Sequence, residues 1–237
     1  MCELLAASFP EPQPFAFLAD AVAGLEEYGL GSFGWGVAWL GDGAVYETRG
    51  LGRFRDEGLG DVELLEQSSR RFLVHLRRPS KLSTVQMADT QPFLNDGCSA
   101  WCHNGFLERA DALRDNFKGR LKGEADSEVG WIYFLDRMEA GADCCTAFAD
   151  VDGTFGGHVN LGYLGSDGEL AVYSRNSSNR MWHFRLGDVE LASTDLHSAD
   201  DSVFDLVFPA ATDRELIEPG TALRLAGSRL STTESKF

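Results

Sequence analysis

The stretch FGWGVAWLGDGAVYETRG, residues 33–50, alternates apolar with small or polar side chains on both sides of a Gly-Asp-Gly turn. A period of two fits a strand and not a helix, so the chain must make a hairpin here. The pattern returns in GGHVNLGYLGSDGELAVYSR (156–175), with Asp167-Gly168 in the turn. RRFLVHLR (70–77), MWHFRLG (181–187), VELAST (189–194) and TALRLAG (221–227) read as further strands, and 78–100 as irregular. Helical spacing appears over 14–30, where Phe15, Leu18, Val22 and Leu25 share a face that Gly29 and Gly31 end. It appears again over 107–121, as an exposed helix, and over 126–141, where Val129, Ile132, Leu135 and Met138 line one side behind Asp126. Two helices interrupting many antiparallel strands predict an α+β architecture with layered sheets. The polar tail SRLSTTESKF is expected to fray.

With 237 residues, 43% of them hydrophobic, and no linker, the chain reads as a single domain, 2–237 once Met1 is removed. Its 21 basic residues against 37 acidic ones argue against a nucleic-acid partner and an anionic membrane surface, both of which attract clustered Lys and Arg. No signal segment and no long apolar run is visible. Five cysteines, two of them adjacent, do not make a disulfide framework, so the expected setting is reduced and cytoplasmic. Oligomeric state leaves no mark in the sequence.

Four residues or pairs could carry chemistry. Cys2 directly follows the initiator methionine; once that is removed, one residue holds a thiol and an α-amine able to take its proton. A cysteine also falls at position 2 by chance. Arg77 ends a buried strand, where its fork fits a carboxylate or makes an ordinary ion pair; Arg78 should point the opposite way. Asn104-Gly105 is a turn signal, but a side-chain amide beside a glycine N–H is also the composition of an oxyanion hole. Asp126 suits either a helix cap or a partner for a substrate ammonium. Cys98, Cys102 and His103 lack a second ligand pair, so no metal is expected.

Taken in order, MCELL, GWGVAW, HLRRP, DTQPF, CHNGF and GEADSE resemble the class II glutamine amidotransferases, which are N-terminal-nucleophile (Ntn) hydrolases, and in particular their small stand-alone branch. The resemblance implies a four-layer αββα sandwich with the cysteine at a sheet edge. It implies that Cys2 attacks the γ-amide of glutamine or of another γ-glutamyl compound, that Asn104 and Gly105 hold the oxyanion, and that Arg77 and Asp126 bind the substrate α-carboxylate and α-ammonium. His75, Trp35 and Gly36 would shape the pocket, and no cofactor is called for. The family often places a serine or threonine a few residues beyond the arginine; Ser80, Ser83 and Thr84 are all candidates here. Thr194 stands where many relatives carry an acid. Three functions remain open: a self-sufficient γ-glutamyl amidohydrolase, a glutaminase subunit feeding ammonia to a separate synthase, and a non-catalytic binding or regulatory protein. Substrate-selecting loops are expected in 41–60, 78–100 and 175–181.

Overall fold

The computed structural model describes residues 2–198 and 200–226. Its elements run β1 (Glu3–Pro14), α1 (Ala16–Tyr28), β2 (Trp35–Gly41), β3 (Ala44–Gly50), α2 (Phe54–Glu57), α3 (Val62–Glu66) and β4 (Ser68–Leu76). Then come β5 (Phe93–Asn95), β6 (Ser99–Leu107), α4 (Ala110–Leu113), α5 (Asp126–Glu139), α6 (Cys144–Phe155), β7 (Gly157–Gly165) and β8 (Leu170–Ser174). The chain continues through β9 (Met181–Leu186), β10 (Val189–Thr194), α7 (Ser202–Val207), β11 (Thr212–Leu216) and β12 (Thr221–Arg224). The strands form two antiparallel sheets, ordered β11-β9-β10-β1-β4-β2-β3 and β12-β8-β7-β6-β5.

Three apolar clusters separate four layers. Leu18, Val22 and Leu25 of α1 pack on Phe72 and Val74 of the larger sheet. Leu4, Leu73, Cys102 and Val172 fill the space between the sheets. Phe134 of α5 and Phe148 of α6 cover Trp101 and Leu161 of the smaller sheet. Strands buried on both faces explain why LLAA and FLV are continuously apolar, while the outer hairpin alternates. The architecture is the αββα sandwich.

The segment 107–121 does not form the expected single helix. Leu107 ends β6, α4 lasts four residues, and Arg114–Phe117 tightens into a 3-10 turn. The Arg114 guanidinium is drawn inward onto the carbonyls of Gly123, Glu124 and Ala125, which bends the segment around that loop. The helix α6 was not anticipated. Its signal was present: Asp143 caps it from Oδ1, accepting Cys145 N at 3.0 Å and Thr146 N at 3.3 Å, ahead of an Ala147, Phe148, Val151, Phe155 stripe. β1 lies between β10 and β4, paired on both sides, so Cys2 sits at the end of a central strand and not on a sheet edge. SRLSTTESKF lies outside the described residues.

Candidate active site

The site begins with strand register. Glu3 stands opposite Leu76, which brings Cys2 across from the chain leaving β4. The Arg78 N–H donates to Cys2 Sγ at 3.3 Å, and the thiol faces the Arg78 carbonyl at 3.7 Å. Burial pushes the Cys2 thiol up; the Arg78 hydrogen bond and the Arg77 charge act against it. The thiol therefore needs a base. No nearby imidazole suits: burial lowers His75 to about 3 and lowers His197 as well. Burial lowers His103 too, against the charge of Asp126, and its ring is engaged, with Nε2 3.2 Å from the His158 carbonyl and Nδ1 2.9 Å from the Ser127 hydroxyl.

Arg77 is turned inward and Arg78 outward, as strand alternation predicts. Arg77 is 3% exposed, and its Nη2 donates to Thr84 Oγ1 at 2.8 Å. Of the three hydroxyl candidates, Thr84 is therefore the one that meets the guanidinium. Arg77 Nη1 is buried without a partner among the described residues, an expensive state for a charged donor unless a ligand completes it. Thr84, Arg77 and Cys2 line one cleft of about 170 Å³ together with Gln91, His103, Gly105, Asp126 and Ser127. Asp126 is the first residue of α5 and does not cap it; Ala125 holds that position. Its Oδ2 accepts the Leu107 N–H at 2.7 Å, which pins the carboxylate to the end of β6.

Asn104 and Gly105 lie mid-strand on β6, not in a turn. Asn104 is fully buried, and its Nδ2 donates to the Cys2 carbonyl. Its Oδ1 accepts Nδ2 of Asn160 at 2.9 Å and Nδ2 of Asn176 at 3.2 Å. Two donors on Oδ1 fix which way the amide points, so Nδ2 must face Cys2. Gly105 has φ +141°, and a Cβ there would fall 1.8 Å from the His158 carbonyl. Only glycine fits this position.

The sequence matches no protein-family model and no curated protein. Solved structures do match it. Glutamine phosphoribosylpyrophosphate (PRPP) amidotransferase from B. subtilis, complexed with ADP and GMP, superposes at TM-score 0.71 with 18% identity, over 94% of this chain and 47% of that one. The chain thus spans about half the length of that relative. A glutamine aminotransferase class-II domain protein from Silicibacter pomeroyi superposes at 0.55 with 16% identity, over 93% and 94% of the two chains. A predicted glutamine amidotransferase from Pseudomonas aeruginosa does so at 0.55 with 16% identity, over 98% and 100%. The chain has the class II glutamine amidotransferase fold.

On this glutamine amidotransferase fold, three residues expected to shape the pocket stand outside its lining. Trp35 is packed against Phe54, its Nε1 donating to Glu57 Oε2 at 2.9 Å. Gly36 lies beneath the Gln91 carbonyl, 2.3 Å from where a Cβ would be, and so acts on the cleft only by admitting that loop. His75 is fully buried, with Nε2 3.1 Å from the His103 carbonyl of the opposing sheet. Of the loops expected to select substrate, 78–100 contributes to the lining, whereas 41–60 and 175–181 do not.

Sequence reasoning missed the supporting shell. Asp89 is buried and accepts Glu124 N at 2.8 Å and Ala125 N at 2.7 Å, tying the loop before Asp126 to the loop after Arg77. Gln91 Oε1 accepts the His103 N–H at 2.6 Å. Asn160, Asn176 and Asn179 converge on Asn104 and the Cys2 carbonyl. Two signals were available. Glu3 interrupts the apolar run MCELLAASF, and Asn160 interrupts the strand HVNLGYLG. A polar residue in a doubly buried strand must find partners, and here the partners are the site.

Proposed function

We propose that the protein is an amidohydrolase that cleaves the γ-amide of glutamine, or of a γ-glutamyl compound, through a γ-glutamyl thioester on Cys2. The supporting observation is the juxtaposition of Cys2, the unfilled Arg77 Nη1, Asp126 and Gly105 in one cleft, with the Asn104 amide oriented toward Cys2. A cation and a carboxylate at fixed positions recognise the α-carboxylate and α-ammonium of an amino-acid head.

In this reading Met1 is removed and the freed α-amine of Cys2 takes the thiol proton, a role for which the three nearby imidazoles, all lowered by burial, are poorly suited. Sγ attacks the γ-carbonyl carbon, and the oxyanion is met by the Gly105 N–H and the second proton of Asn104 Nδ2, the first remaining on the Cys2 carbonyl. Collapse of the tetrahedral species breaks the C–N bond. The departing ammonia or amine takes the proton from the α-ammonium. Water then adds to the thioester, and glutamate leaves with Sγ restored as thiol.

A second reading is supported by the fold shared with the B. subtilis PRPP amidotransferase. There the ammonia would pass to a separate synthase partner. One experiment tests the common core: an electrophilic glutamine analogue is incubated with the protein and the intact chain weighed. The expected product is one adduct on a chain lacking Met1. An unmodified Cys2 in active material overturns the proposal. Glutamate release by the isolated protein, compared between γ-glutamyl conjugates and glutamine with and without candidate synthases, separates the two readings.

A further inference from the structure

Beside the nucleophile lies a buried acid–base pair that the mechanism above does not use. Glu3 is fully buried. Its Oε2 accepts the Thr194 hydroxyl at 2.6 Å and Asn179 Nδ2 at 3.1 Å, and its Oε1 accepts the Leu30 N–H at 3.3 Å. The orientation of these donors is fixed from behind. Thr194 Oγ1 is already an acceptor for the Leu4 N–H, so its proton faces Glu3. Asn179 Oδ1 accepts the His197 N–H at 3.2 Å, so its NH₂ faces Glu3.

The remaining neighbour is His197, whose Nε2 lies 3.6 Å from Glu3 Oε1 and has no partner at hydrogen-bond distance among the described residues, although the ring also faces the Cys2 carbonyl. Nδ1 of that ring lies 3.0 Å from the Ser178 carbonyl and so carries a proton. Nε2 and Oε1 thus have room for one further proton between them. Leu196 and His197 both adopt left-handed backbone, at φ 63° and 56°. Two successive non-glycine residues in that region are costly, and such strain persists where the surrounding structure enforces it. Here it aims the imidazole at Glu3. Asn179 Nδ2, which holds Glu3, also donates to the Cys2 carbonyl at 3.1 Å.

We propose that Glu3 and His197 are positioning residues that share one proton near neutral pH and, through Asn179, hold the Cys2 main chain for attack. With the proton in place every donor around Glu3 meets an acceptor. Without it, carboxylate and imidazole lone pair face each other, and the clamp on Asn179 loosens. Burial raises the Glu3 carboxyl to about 7, with nearby Asp195 adding to the rise. The other charged or titratable groups facing the pair are the N-terminal amine, the Cys2 thiol and Arg78, while Asp195 is itself engaged by Arg180 at 2.6 Å. From β4 the pair meets Leu76, which does not titrate.

The inference rests on the hydrolase reading only for its kinetic readout. The test compares native protein, Glu3→Gln and His197→Asn between pH 5 and 9 in three measurements: kcat and KM for amide hydrolysis, the rate of Cys2 alkylation by iodoacetamide (followed at the peptide level), and Tm. Expected are a roughly tenfold lower kcat with little change in KM for both variants, and loss in both of an inflection near pH 7 that the native protein shows in kcat/KM and in Cys2 alkylation, while a separate inflection at about pH 8 from the Cys2 α-amine stays in all three. The Tm difference between Glu3→Gln and native should change across the same range. An identical pH profile in native and both variants, with only the α-amine inflection present and a Tm difference independent of pH, overturns the pair. No amide hydrolysis by native protein, with the Cys2 alkylation and Tm inflections present in native and absent in the variants, supports the pair and overturns the hydrolase reading instead.

Discussion

Thr84 Oγ1 lies 2.8 Å from Arg77 Nη2 and is itself donated to the Lys81 carbonyl at 2.7 Å. The hydroxyl therefore stands between a backbone turn and a buried cation, and fixes where the guanidinium points. Removing it should leave Arg77 with a second unpartnered nitrogen. Thr84→Ala is expected to raise KM for a glutamyl substrate about tenfold, with a smaller change in kcat and a loss of about 1–2 kcal/mol in stability. Thr84→Ser should restore most of both, whereas Ser80→Ala and Ser83→Ala should alter neither. Steady-state kinetics and thermal melts on the four variants decide the matter.

Asp126 performs two separable tasks. Its Oδ2 accepts the Leu107 N–H, and its charge stands in the same cleft as Arg77. Asp126→Asn keeps an oxygen for Leu107 and removes the charge. The expected outcome is an unchanged Tm with KM raised tenfold or more, because a substrate ammonium loses its counter-charge. Asp126→Ala should show the same KM effect plus about 1–2 kcal/mol of destabilisation from the orphaned Leu107 N–H. Equal KM in native and Asp126→Asn protein would limit Asp126 to its structural bond.

The Asn104 amide is oriented by Asn160 and Asn176, so the proposed oxyanion site would depend on residues outside the cleft lining. Asn176→Ala removes one of the two donors on Oδ1 and lets the amide rotate. We expect kcat to fall roughly 10- to 100-fold, less than the 10²–10³ typical of deleting an oxyanion donor itself, with KM nearly constant. A larger loss in Asn104→Ala, with no further loss when Asn176→Ala is added to it, would show that both act through one amide.

Much of this arrangement could be read from residue order, and the unread part has one physical cause. Hairpins announce themselves locally, because Asp42-Gly43 and Asp167-Gly168 must turn wherever they occur. Cys2, Arg77, Asn104, Gly105 and Asp126 carry chemistry that few other side chains supply, so their types were informative before any geometry. The supporting residues are generic. Asn160 and Asn179 acquire meaning only when β6 pairs with β7 and the loop after β8 folds back onto Cys2, contacts separated by as many as 177 positions in the chain. The expected helix over 107–121 failed for a similar reason: Arg114, a good helix former, makes its bonds to a loop rather than continuing the turn. Trp35, Gly36 and His75 belong to pocket-forming motifs of the resemblance, yet their side chains or backbone face the core.

Gly105 is irreplaceable on steric grounds. Alanine there meets the His158 carbonyl and carries φ +141°, so the β6–β7 pairing would have to open beside Asn104. Gly105→Ala should cost on the order of 3 kcal/mol or more, and any folded fraction should show kcat reduced about 100-fold. Hydrogen exchange at Asn104 and Val159 would report the opened ladder. Unchanged protection together with unchanged kcat would remove Gly105 from the site.

His75 makes the protein acid-labile in a predictable window. Burial, with Arg77 nearby, depresses its imidazole from 6.5 to about 3. A depressed histidine binds its proton more weakly in the folded than in the unfolded state, so its contribution to stability is complete above about pH 6.5 and is lost progressively as pH falls toward 3. The full span corresponds to roughly 5 kcal/mol. Glu3 works in the opposite sense: its raised carboxyl favours the folded state at low pH, and that contribution fades as pH rises from its unfolded value of 4.5 through about 7. Between pH 4.5 and 6.5 the two therefore oppose each other, and below pH 4.5 His75 acts without that compensation. His75→Gln retains an N–H for the His103 carbonyl and does not titrate. Its Tm should fall distinctly less than that of native protein between pH 4.5 and 3.5, with little difference in slope above pH 7. Parallel Tm curves for the two proteins across that acid range would show that another group governs the unfolding.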